Sequence, residues 1–445
     1  MEVRGQSHDR DVEQIATAVR ARRAAAGPVR IDKGGVSHFV PVPGDPRRRA
    51  ARLDIAPLRR ILSMDPDGGR CVAEPGVSFA ELLRATLRRG RMPTVVPELE
   101  GITVGGAVAG CSVESSSHRY GGFHDGCLEY EVLTGDGEVL SCSRERDPLV
   151  FEMIHGSYGT LGVLTKLSFQ LVPARPYVRM EYRHFTDFES FQGDLLAQCR
   201  GGDADFIDAI VHGPRSFVVC LGRFAVSAPY VSSYRWLDIY YRSTKERTED
   251  YLTTFDYCFR YDTECHWLTK TVPLLTSRPV RFAAGKLVLG STNLIRWSER
   301  LERVLGAKRR PDVVCDVFIP TRRFEEFYRW YEATLGYFPL WVVPYRVPRM
   351  YPWVAPERAA RMGDDLLIDC AIYGMPNRSP DVDLSEVLER KVFELDGIKT
   401  LISRNHYSAE QFWEIYDRRS YDEVKRRMDP GGVFGDLYEK MHRVR

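Results

Sequence analysis

The sequence predicts an α+β protein of more than one domain, and three observations support that fold class. The chain has 445 residues, which is too long for a single compact core. Helical patterns and short strand-like segments follow one another along the first 175 residues. Beyond about Arg175 the glycine clusters become sparse while aromatic residues and arginine become dense, which indicates a second domain.

Helix signals are clearest at three places. Residues 11–26 carry apolar side chains at helical spacing. Ser78 and Glu81 form a capping-box pattern that predicts the start of a helix over residues 79–89. A second capping-box pattern begins at Ser408 and predicts a helix near the carboxyl end of the chain.

Strand signals lie between these helices. Short strands are predicted at residues 29–31 and 70–74. Residues 129–133 and 138–141 flank a Gly-Asp-Gly turn, which predicts a hairpin. Apolar and polar residues alternate over residues 167–171, as expected for a strand with one buried face.

The composition is that of a folded enzyme without a nucleic-acid partner. Hydrophobic residues make up 44% of the chain and charged residues 28%, so a core can form. Lys and Arg number 63 against 61 Asp and Glu, and a net charge of +2 gives no broad field for attracting nucleic acid. The ten cysteines are scattered, so we expect neither a metal site nor a disulfide framework.

The chain also shows no pattern for export or membrane insertion. Its first residues are polar, and no later segment approaches the ~20 apolar residues of a membrane-spanning helix. We therefore expect a cytoplasmic protein. Peripheral contact with a membrane stays open, since a lipid-like substrate would require access to one, and the oligomeric state is open as well.

Three glycine-rich turns follow strand-like segments in the first domain: Gly34-Gly35, residues 103–107 and residues 156–162. Glycine lets backbone N–H groups approach a diphosphate closely, so three such turns predict a phosphate-bearing cofactor. Any one of them alone is more often an ordinary turn. No G-x-G-x-x-G motif opens a helix, which disfavours a Rossmann-type site.

Several runs resemble the Delta(24)-sterol reductases and the plant Diminuto proteins, which are PCMH-type flavoenzymes of the vanillyl-alcohol oxidase superfamily. The runs are residues 95–106, 114–121, 159–164, 368–376 and 410–413. The resemblance implies a two-subdomain PCMH-type FAD-binding domain in residues 1–175 and an α+β cap domain for the substrate in residues 176–398. Residues 399–445 would then return to the FAD-binding domain.

The resemblance also assigns residues to FAD. They are Gly34, Gly35, Val36, Ser37 and His38 in the first pyrophosphate loop, Thr103, Gly105 and Gly106 in the second, Pro75, Gly76 and Val77 on the adenine side, Gly162 and Val163 beside the flavin or adenine, and Gly110, Ser116, His118, Tyr120 and Gly121 in the matched run. His38 lies one place later than the histidine that binds FAD covalently in many relatives. We therefore expect non-covalent FAD, with His38 as a loop residue near phosphate or solvent.

By the same resemblance, NADPH would reduce the flavin, and a hydride would then pass to a carbon–carbon double bond. A positioned acid must protonate the other carbon. Asp369 and Tyr373 are candidates because they share one face of an alternating strand. His406 is a third candidate, since it stands just before the Phe412-Trp413 helix, where the family has a tyrosine. A strand aspartate or a lone histidine is otherwise more often structural.

The leading hypothesis is therefore an FAD-dependent reductase of a carbon–carbon double bond in a hydrophobic, sterol- or terpenoid-like substrate. One alternative is an FAD-dependent oxidase or dehydrogenase of an alcohol or sugar, because this fold supports many activities. Another is a catalytically silent flavin-binding protein.

Overall fold

The computed structural model describes residues 2–442 except 24–26, 36–38, 41, 43–44, 46, 48, 66, 268–269, 271–276, 294–295, 298–299, 301–309 and 380. These residues form a six-stranded sheet, an eight-stranded sheet and a two-stranded parallel sheet, with helices around them. The α+β class predicted from the sequence is confirmed.

The strands are numbered in chain order. They are β1 (Val29–Asp32), β2 (Ala51–Asp54), β3 (Ile61–Asp65), β4 (Arg70–Ala73), β5 (Arg91–Pro93), β6 (Cys127–Leu133), β7 (Val139–Ser143), β8 (Val163–Pro173), β9 (Tyr177–Phe185), β10 (Phe206–Gly213), β11 (Ser216–Ala225), β12 (Glu249–Thr253), β13 (Val313–Pro320), β14 (Leu340–Arg346), β15 (Leu366–Met375) and β16 (Ile398–Lys399).

The α-helices are labelled in the same way. They are α1 (Glu2–Arg23), α2 (Phe79–Leu87), α3 (Val104–Ala109), α4 (Ser117–Tyr120), α5 (Pro148–Met153), α6 (Phe188–Gly201), α7 (Tyr240–Ser243), α8 (Thr254–Cys258), α9 (Arg278–Val288), α10 (Phe324–Thr334), α11 (Pro356–Met362), α12 (Leu384–Glu394), α13 (Ala409–Ile415), α14 (Arg418–Met428) and α15 (Leu437–Met441). Short 3₁₀ turns span Phe123–Gly126, Asp262–Trp267 and Thr321–Arg323.

The six-stranded sheet is built around β8, which pairs with β4, β5 and β6. Its alternating residues Leu167, Phe169 and Leu171 are buried, as the alternation of apolar and polar residues predicts. The capping box of Ser78 and Glu81 begins α2 as predicted. The helix α2 thereby presents Phe79, Leu82 and Leu83 to the core beneath this sheet.

The eight-stranded sheet has the order β12-β9-β11-β10-β14-β15-β13-β16, and its described neighbours pair antiparallel. Helices α6, α10 and α12 cover one face through apolar residues such as Leu195, Phe327 and Val392. The residues of the other face, among them Trp341 and Ala371, belong to the core cluster that extends into the first domain. This second face therefore meets the first domain.

The chain leaves the six-stranded sheet after Pro173 and enters the eight-stranded sheet at Tyr177. It leaves the latter after β16 and returns to the first domain, where Lys425 donates a hydrogen bond to the carbonyl of Thr160 at 2.7 Å. Within the part of the chain described here, no helix is long and apolar enough to cross a bilayer.

Candidate active site

A cavity of about 830 Å³ lies where the two large sheets and the carboxyl-terminal segment meet. Its wall includes Gly35 and Gly106 from the glycine turns, Trp341 and Asp369 from the eight-stranded sheet (the cap sheet), and Lys440 from α15. Ligand pockets in proteins commonly enclose roughly 300–1,000 Å³, so a cofactor and part of a substrate fit this space. The cavity is continuous from the glycine turns to the cap.

The second glycine turn packs tightly against the strand end that carries Pro75. A Cβ atom on Gly105 would lie 2.5 Å from the Cβ of Pro75, so only glycine fits there. A Cβ on Gly106 would lie 3.2 Å from Oγ1 of Thr103 and 3.7 Å from Nζ of Lys33. Thr103 also accepts the hydrogen of the Gly106 backbone N–H at 3.3 Å, which fixes the turn at the start of α3. Gly106 thus keeps this part of the cavity wall open.

About half of the residues predicted to bind the cofactor line the cavity. Those residues are Gly35, Pro75, Thr103, Gly105, Gly106, Gly110, Gly162 and Val163. The described residues that do not line it are Gly34, Gly76, Val77, Ser116, His118, Tyr120 and Gly121. Val36, Ser37 and His38 fall outside the described residues.

The run Glu114–Gly121 joins the two domains instead of lining the cavity. The Ile207 N–H of β10 donates to the carbonyl of Ser115 at 2.8 Å, and Arg346 of β14 donates to the carbonyl of His118 at 3.0 Å. Burial is the main reason that the pKa of His118 falls to about 4, so its ring is neutral at physiological pH. His118 thus lies at the interface between the two domains, and none of Ser116, His118, Tyr120 and Gly121 lines the cavity.

A buried arginine completes this interface. Nη2 of Arg260 lies 3.0 Å from a carboxylate oxygen of Glu114 and 3.0 Å from Oδ2 of Asp208. The same Oδ2 accepts hydrogen bonds from the indole N–H of Trp341 at 2.8 Å and from the hydroxyl of Tyr261 at 2.9 Å. Trp341 and Tyr261 both line the cavity, so the arginine cluster fixes two aromatic parts of its wall.

Two lysines place positive charge beside the glycine turns. Nζ of Lys33 donates to Oγ1 of Thr103 at 3.4 Å, and Nζ of Lys440 donates to the carbonyl of Tyr158 at 2.7 Å. Burial lowers the pKa of Lys33 to about 8. Burial, followed by the nearby Arg47 and Lys425, lowers the pKa of Lys440 to about 7. Both side chains line the cavity.

The cap end of the cavity carries carboxyl groups instead. Burial raises the pKa of Glu98 to about 8, and burial followed by repulsion from Asp316 and Glu98 raises the pKa of Asp369 well above its ordinary value. Burial also raises the pKa of Asp316, whose Oδ1 accepts a hydrogen bond from the Tyr373 hydroxyl at 2.8 Å. Among the described residues, Oδ1 of Asp369 has no hydrogen-bond partner. At neutral pH this end of the cavity therefore holds a protonated carboxylic acid.

Sequence reasoning found Asp369 and Tyr373 but missed Glu98 and Asp316, although all four line the cavity. A signal for Asp316 was present, because it is a single carboxylate in the otherwise apolar strand Val313–Pro320. Glu98 had no comparable signal, since a glutamate in a loop is usually solvated.

His406 lies apart from these groups. Its Nε2 is 2.9 Å from Oγ of Ser385 and 4.0 Å from a carboxylate oxygen of Asp383, both at the start of α12. It is not part of the cavity wall, and burial lowers its pKa to about 4. This position does not favour His406 as the proton donor, because its ring contacts the start of α12 and does not line the cavity.

Comparison with known proteins gives one family match and several similar chains. Residues 9–143 match a family model described as an FAD binding domain. Over an alignment 498 positions long, the chain is 23% identical to Delta(24)-sterol reductase of Pisum sativum, with 99% of this chain and 85% of that protein covered. It is 23% identical over 398 residues to the Homo sapiens protein of the same name, with 86% and 76% covered.

A third relative covers less of the chain. Cytokinin dehydrogenase 2 of Oryza sativa subsp. japonica is 27% identical over 215 residues, which are 44% of this chain and 38% of that protein.

The residues of the cavity fit an FAD molecule. The glycine turns supply backbone at close approach for a diphosphate, and the partly buried amino groups of Lys33 and Lys440, when protonated, supply opposite charge. The aromatic and apolar walls near Trp341 and Phe318 suit a flat ring system. The charge of the cavity thus changes from cationic at the glycine turns to neutral acid at the cap.

Proposed function

We propose that this chain, an FAD-binding oxidoreductase that resembles the Delta(24)-sterol reductases over most of its length, reduces a carbon–carbon double bond of a hydrophobic, sterol- or terpenoid-like substrate. One observation carries the proposal most directly. The cavity that begins at the glycine turns ends at Asp369, a buried carboxylic acid whose Oδ1 has no hydrogen-bond partner among the described residues.

Asp369 has the properties that the proton transfer requires. Bound FAD, once reduced, supplies a hydride to one carbon of the double bond. Asp369 donates a proton to the other carbon as the π bond breaks, and it regains that proton from solvent afterwards. Its raised pKa favours the protonated form, in which it can act as an acid.

Tyr373 has a supporting role in this proposal. Its hydroxyl donates to Asp316, which lies on the neighbouring strand, and Oγ1 of Thr400 also contacts Asp316 at 3.3 Å. This arrangement holds Asp316 and Tyr373 in fixed positions beside Asp369. The pair thereby fixes the part of the cavity wall that surrounds Asp369.

The walls of the cavity support a hydrophobic substrate. Trp267, Phe318 and Trp341 line its cap end. A second, smaller chamber of about 100 Å³ shares Cys111, Tyr158 and Phe318 with the large cavity. The aromatic residues of this chamber include Tyr345, Tyr351, Trp353, Trp413, Tyr416 and Tyr421. An apolar surface of this kind is suited to a hydrocarbon skeleton.

We further propose that FAD is bound non-covalently and that NADPH reduces it. NADPH is the donor that the resemblance implies. Release of the flavin on acid precipitation, together with rapid bleaching by NADPH under anaerobic conditions, is the expected behaviour. Flavin that stays with the acid pellet would direct attention to His38.

An alcohol dehydrogenase or oxidase is the second candidate, and the similarity to cytokinin dehydrogenase 2 over 215 residues supports it. Removing a hydride from an alcohol or amine requires a group that accepts a proton. The raised pKa of Asp369 opposes that role at neutral pH. A catalytically silent protein would show no turnover with any donor.

One experiment separates these functions. The flavin of the purified protein is reduced anaerobically and mixed by stopped flow with a panel of sterol and terpenoid alkenes. We expect one of them to reoxidise the flavin, with a product heavier by two hydrogen atoms. If every alkene fails while oxygen reoxidises the flavin rapidly with release of peroxide, the reductase proposal is wrong and the oxidase is favoured.

A further inference from the structure

We propose that Lys33 and Lys440 neutralise the two negative charges of the FAD diphosphate, so that FAD binding takes up protons from solvent near and above neutral pH. This inference depends on FAD binding and not on the reaction that the flavin supports. It concerns residues at the two ends of the chain, which the fold brings to one cavity.

The position of Lys33 is set by the first glycine turn. It follows the last residue of β1 and precedes Gly34, whose φ is +72°. Its side chain reaches the second glycine turn, because its Nζ lies 3.4 Å from Oγ1 of Thr103 and 3.7 Å from the place of a Cβ on Gly106. The ammonium group therefore stands between two turns whose backbone is suited to phosphate.

No carboxylate of the described residues lies within ion-pair distance of Lys33. The nearest acidic residue in sequence, Asp32, accepts a hydrogen bond from the Gly34 N–H at 2.8 Å and pairs with Arg52 at 2.9 Å. Its carboxylate is thus used by other groups. Lys33 is a partly buried cation whose described contact is a neutral hydroxyl.

Lys440 is the corresponding group at the third glycine turn. It lies on α15, and its Nζ donates to the carbonyl of Tyr158 at 2.7 Å. The charged groups around it are Arg47 and Lys425. Arg47 is held by Asp45, with Nε at 2.9 Å from Oδ1.

Lys425, in turn, is held by Asp429 at 2.7 Å. Among the described residues, the carboxylates near Lys440 are therefore paired with other cations. Partial removal from water without a counter-charge disfavours an ammonium group, and a bound dianion favours it. Two lysines match the two charges of a diphosphate.

The direction of the pH effect follows from burial. Without a ligand, the pKa of Lys33 is lowered to about 8 and that of Lys440 to about 7, so both lose protons as the pH rises from 7 to 9. A bound diphosphate favours the charged forms and raises both values. FAD binding must then take up protons, and the FAD dissociation constant increases as the pH rises, by up to about tenfold per pH unit for each lysine.

The test uses the full chain after removal and reconstitution of its flavin. Isothermal titration calorimetry with FAD, ADP and riboflavin at pH 6.5–9.5, in buffers of different ionisation heat, reports both affinity and proton uptake. We expect uptake with FAD and ADP but not with riboflavin, which has no phosphate. Wild-type protein that binds FAD with pH-independent affinity and no proton uptake would overturn the proposal.

Variants assign the effect to each lysine. Lys33→Met and Lys440→Met should each weaken FAD and ADP binding by about 10- to 100-fold at pH 7. Lys33→Arg and Lys440→Arg should keep the affinity but lose their part of the pH dependence, because arginine stays charged. These arginine variants also separate loss of charge from loss of folding.

Lys391→Met is the matched control, since Lys391 pairs with Glu326 and Glu394 on the outer side of the cap. It should leave affinity and proton uptake unchanged. Equal weakening of riboflavin and ADP binding in Lys440→Met would place that lysine near the ring system and overturn its part of the proposal. These affinities and proton-uptake values do not depend on catalysis, so they would stand even if the protein reduced no alkene.

Discussion

The hydroxyl of Tyr373 donates a hydrogen bond to Oδ1 of Asp316 over 2.8 Å, from one strand of the cap sheet to the next. The phenolic hydrogen is used in this bond and is not free for a substrate. Asp369 lies four residues earlier on the same strand and lines the same cavity. The geometry thus distinguishes Asp369, as an acid, from Tyr373, as a positioning residue.

Asp369→Asn should retain FAD and its reduction but slow the reoxidation of reduced flavin by the alkene. We expect a loss of ~10²- to 10⁴-fold, which is the usual contribution of a general acid. Stopped-flow absorbance of the flavin measures it. Asp203→Asn is the control, because the Asp203 side chain is 80% exposed and pairs with Arg223 on the surface. An unchanged rate in Asp369→Asn would remove Asp369 as the donor.

Tyr373→Phe should have a smaller effect, of about tenfold, because it removes one hydrogen bond and no acid. The hydrogen bond from Tyr373 lowers the pKa of Asp316, so its loss should raise that pKa further. The pH profile of the substrate half-reaction should then shift to higher pH. A loss as large as that of Asp369→Asn, with no shift of the profile, would make Tyr373 the acid itself.

Gly106→Val should abolish FAD retention in a protein that still folds. A Cβ at this position would already lie 3.2 Å from Oγ1 of Thr103. The two methyl groups of valine would extend from it into the space beside Lys33. The ratio of flavin absorbance to protein absorbance after purification measures retention. Gly193→Val is the control, since a Cβ on Gly193 meets nothing within 4 Å. Normal flavin content in Gly106→Val would show that this turn does not approach the cofactor.

His406→Ala should retain both FAD and turnover, because His406 does not line the cavity. It should lower the free energy of unfolding by about 0.5–1.5 kcal/mol, through the lost hydrogen bond to Ser385. Steady-state turnover and chemical denaturation measure the two effects. A slow substrate half-reaction with normal flavin reduction would restore His406 as a catalytic candidate.

The packing of α1 should depend on pH. His8 contacts Glu74 at 2.8 Å and Glu131 at 2.9 Å, and its pKa is raised to about 9, because these contacts outweigh the opposing effect of burial. The stabilisation is complete below the ordinary pKa of 6.5 and is lost as the pH rises through about 9.

This charge effect amounts to about 3 kcal/mol. His8→Gln should therefore lower stability at pH 6 but much less at pH 10, as measured by denaturant unfolding. Equal destabilisation at both pH values would mean that His8 acts through packing and not through its charge.

The local features were predictable because they depend on neighbouring residues. The capping boxes at Ser78 and Ser408 form as the sequence indicates. Asp369 and Tyr373 share a cavity wall because side chains alternate strictly along a strand. Such patterns need no knowledge of the rest of the fold.

The remaining features depend on contacts between distant segments. The run from Glu114 to Gly121 has a specific sequence, but its docking against β10 and β14 decides what it touches. Lys440 approaches Tyr158 only because the chain returns to its first domain, 282 residues later. The raised pKa of Glu98 is likewise a consequence of burial, which no spacing in the sequence reveals.

The buried position of Arg260 also limits how this protein could be recombined with its relatives. Arg260 and Asp208 belong to the cap, whereas Glu114 belongs to the first domain. A chimera that exchanged the cap without this arginine would leave a carboxylate in the interface without its cation, at a cost of about 3–5 kcal/mol. Chimeras of such proteins should therefore take residues 114, 208 and 260 from the same parent.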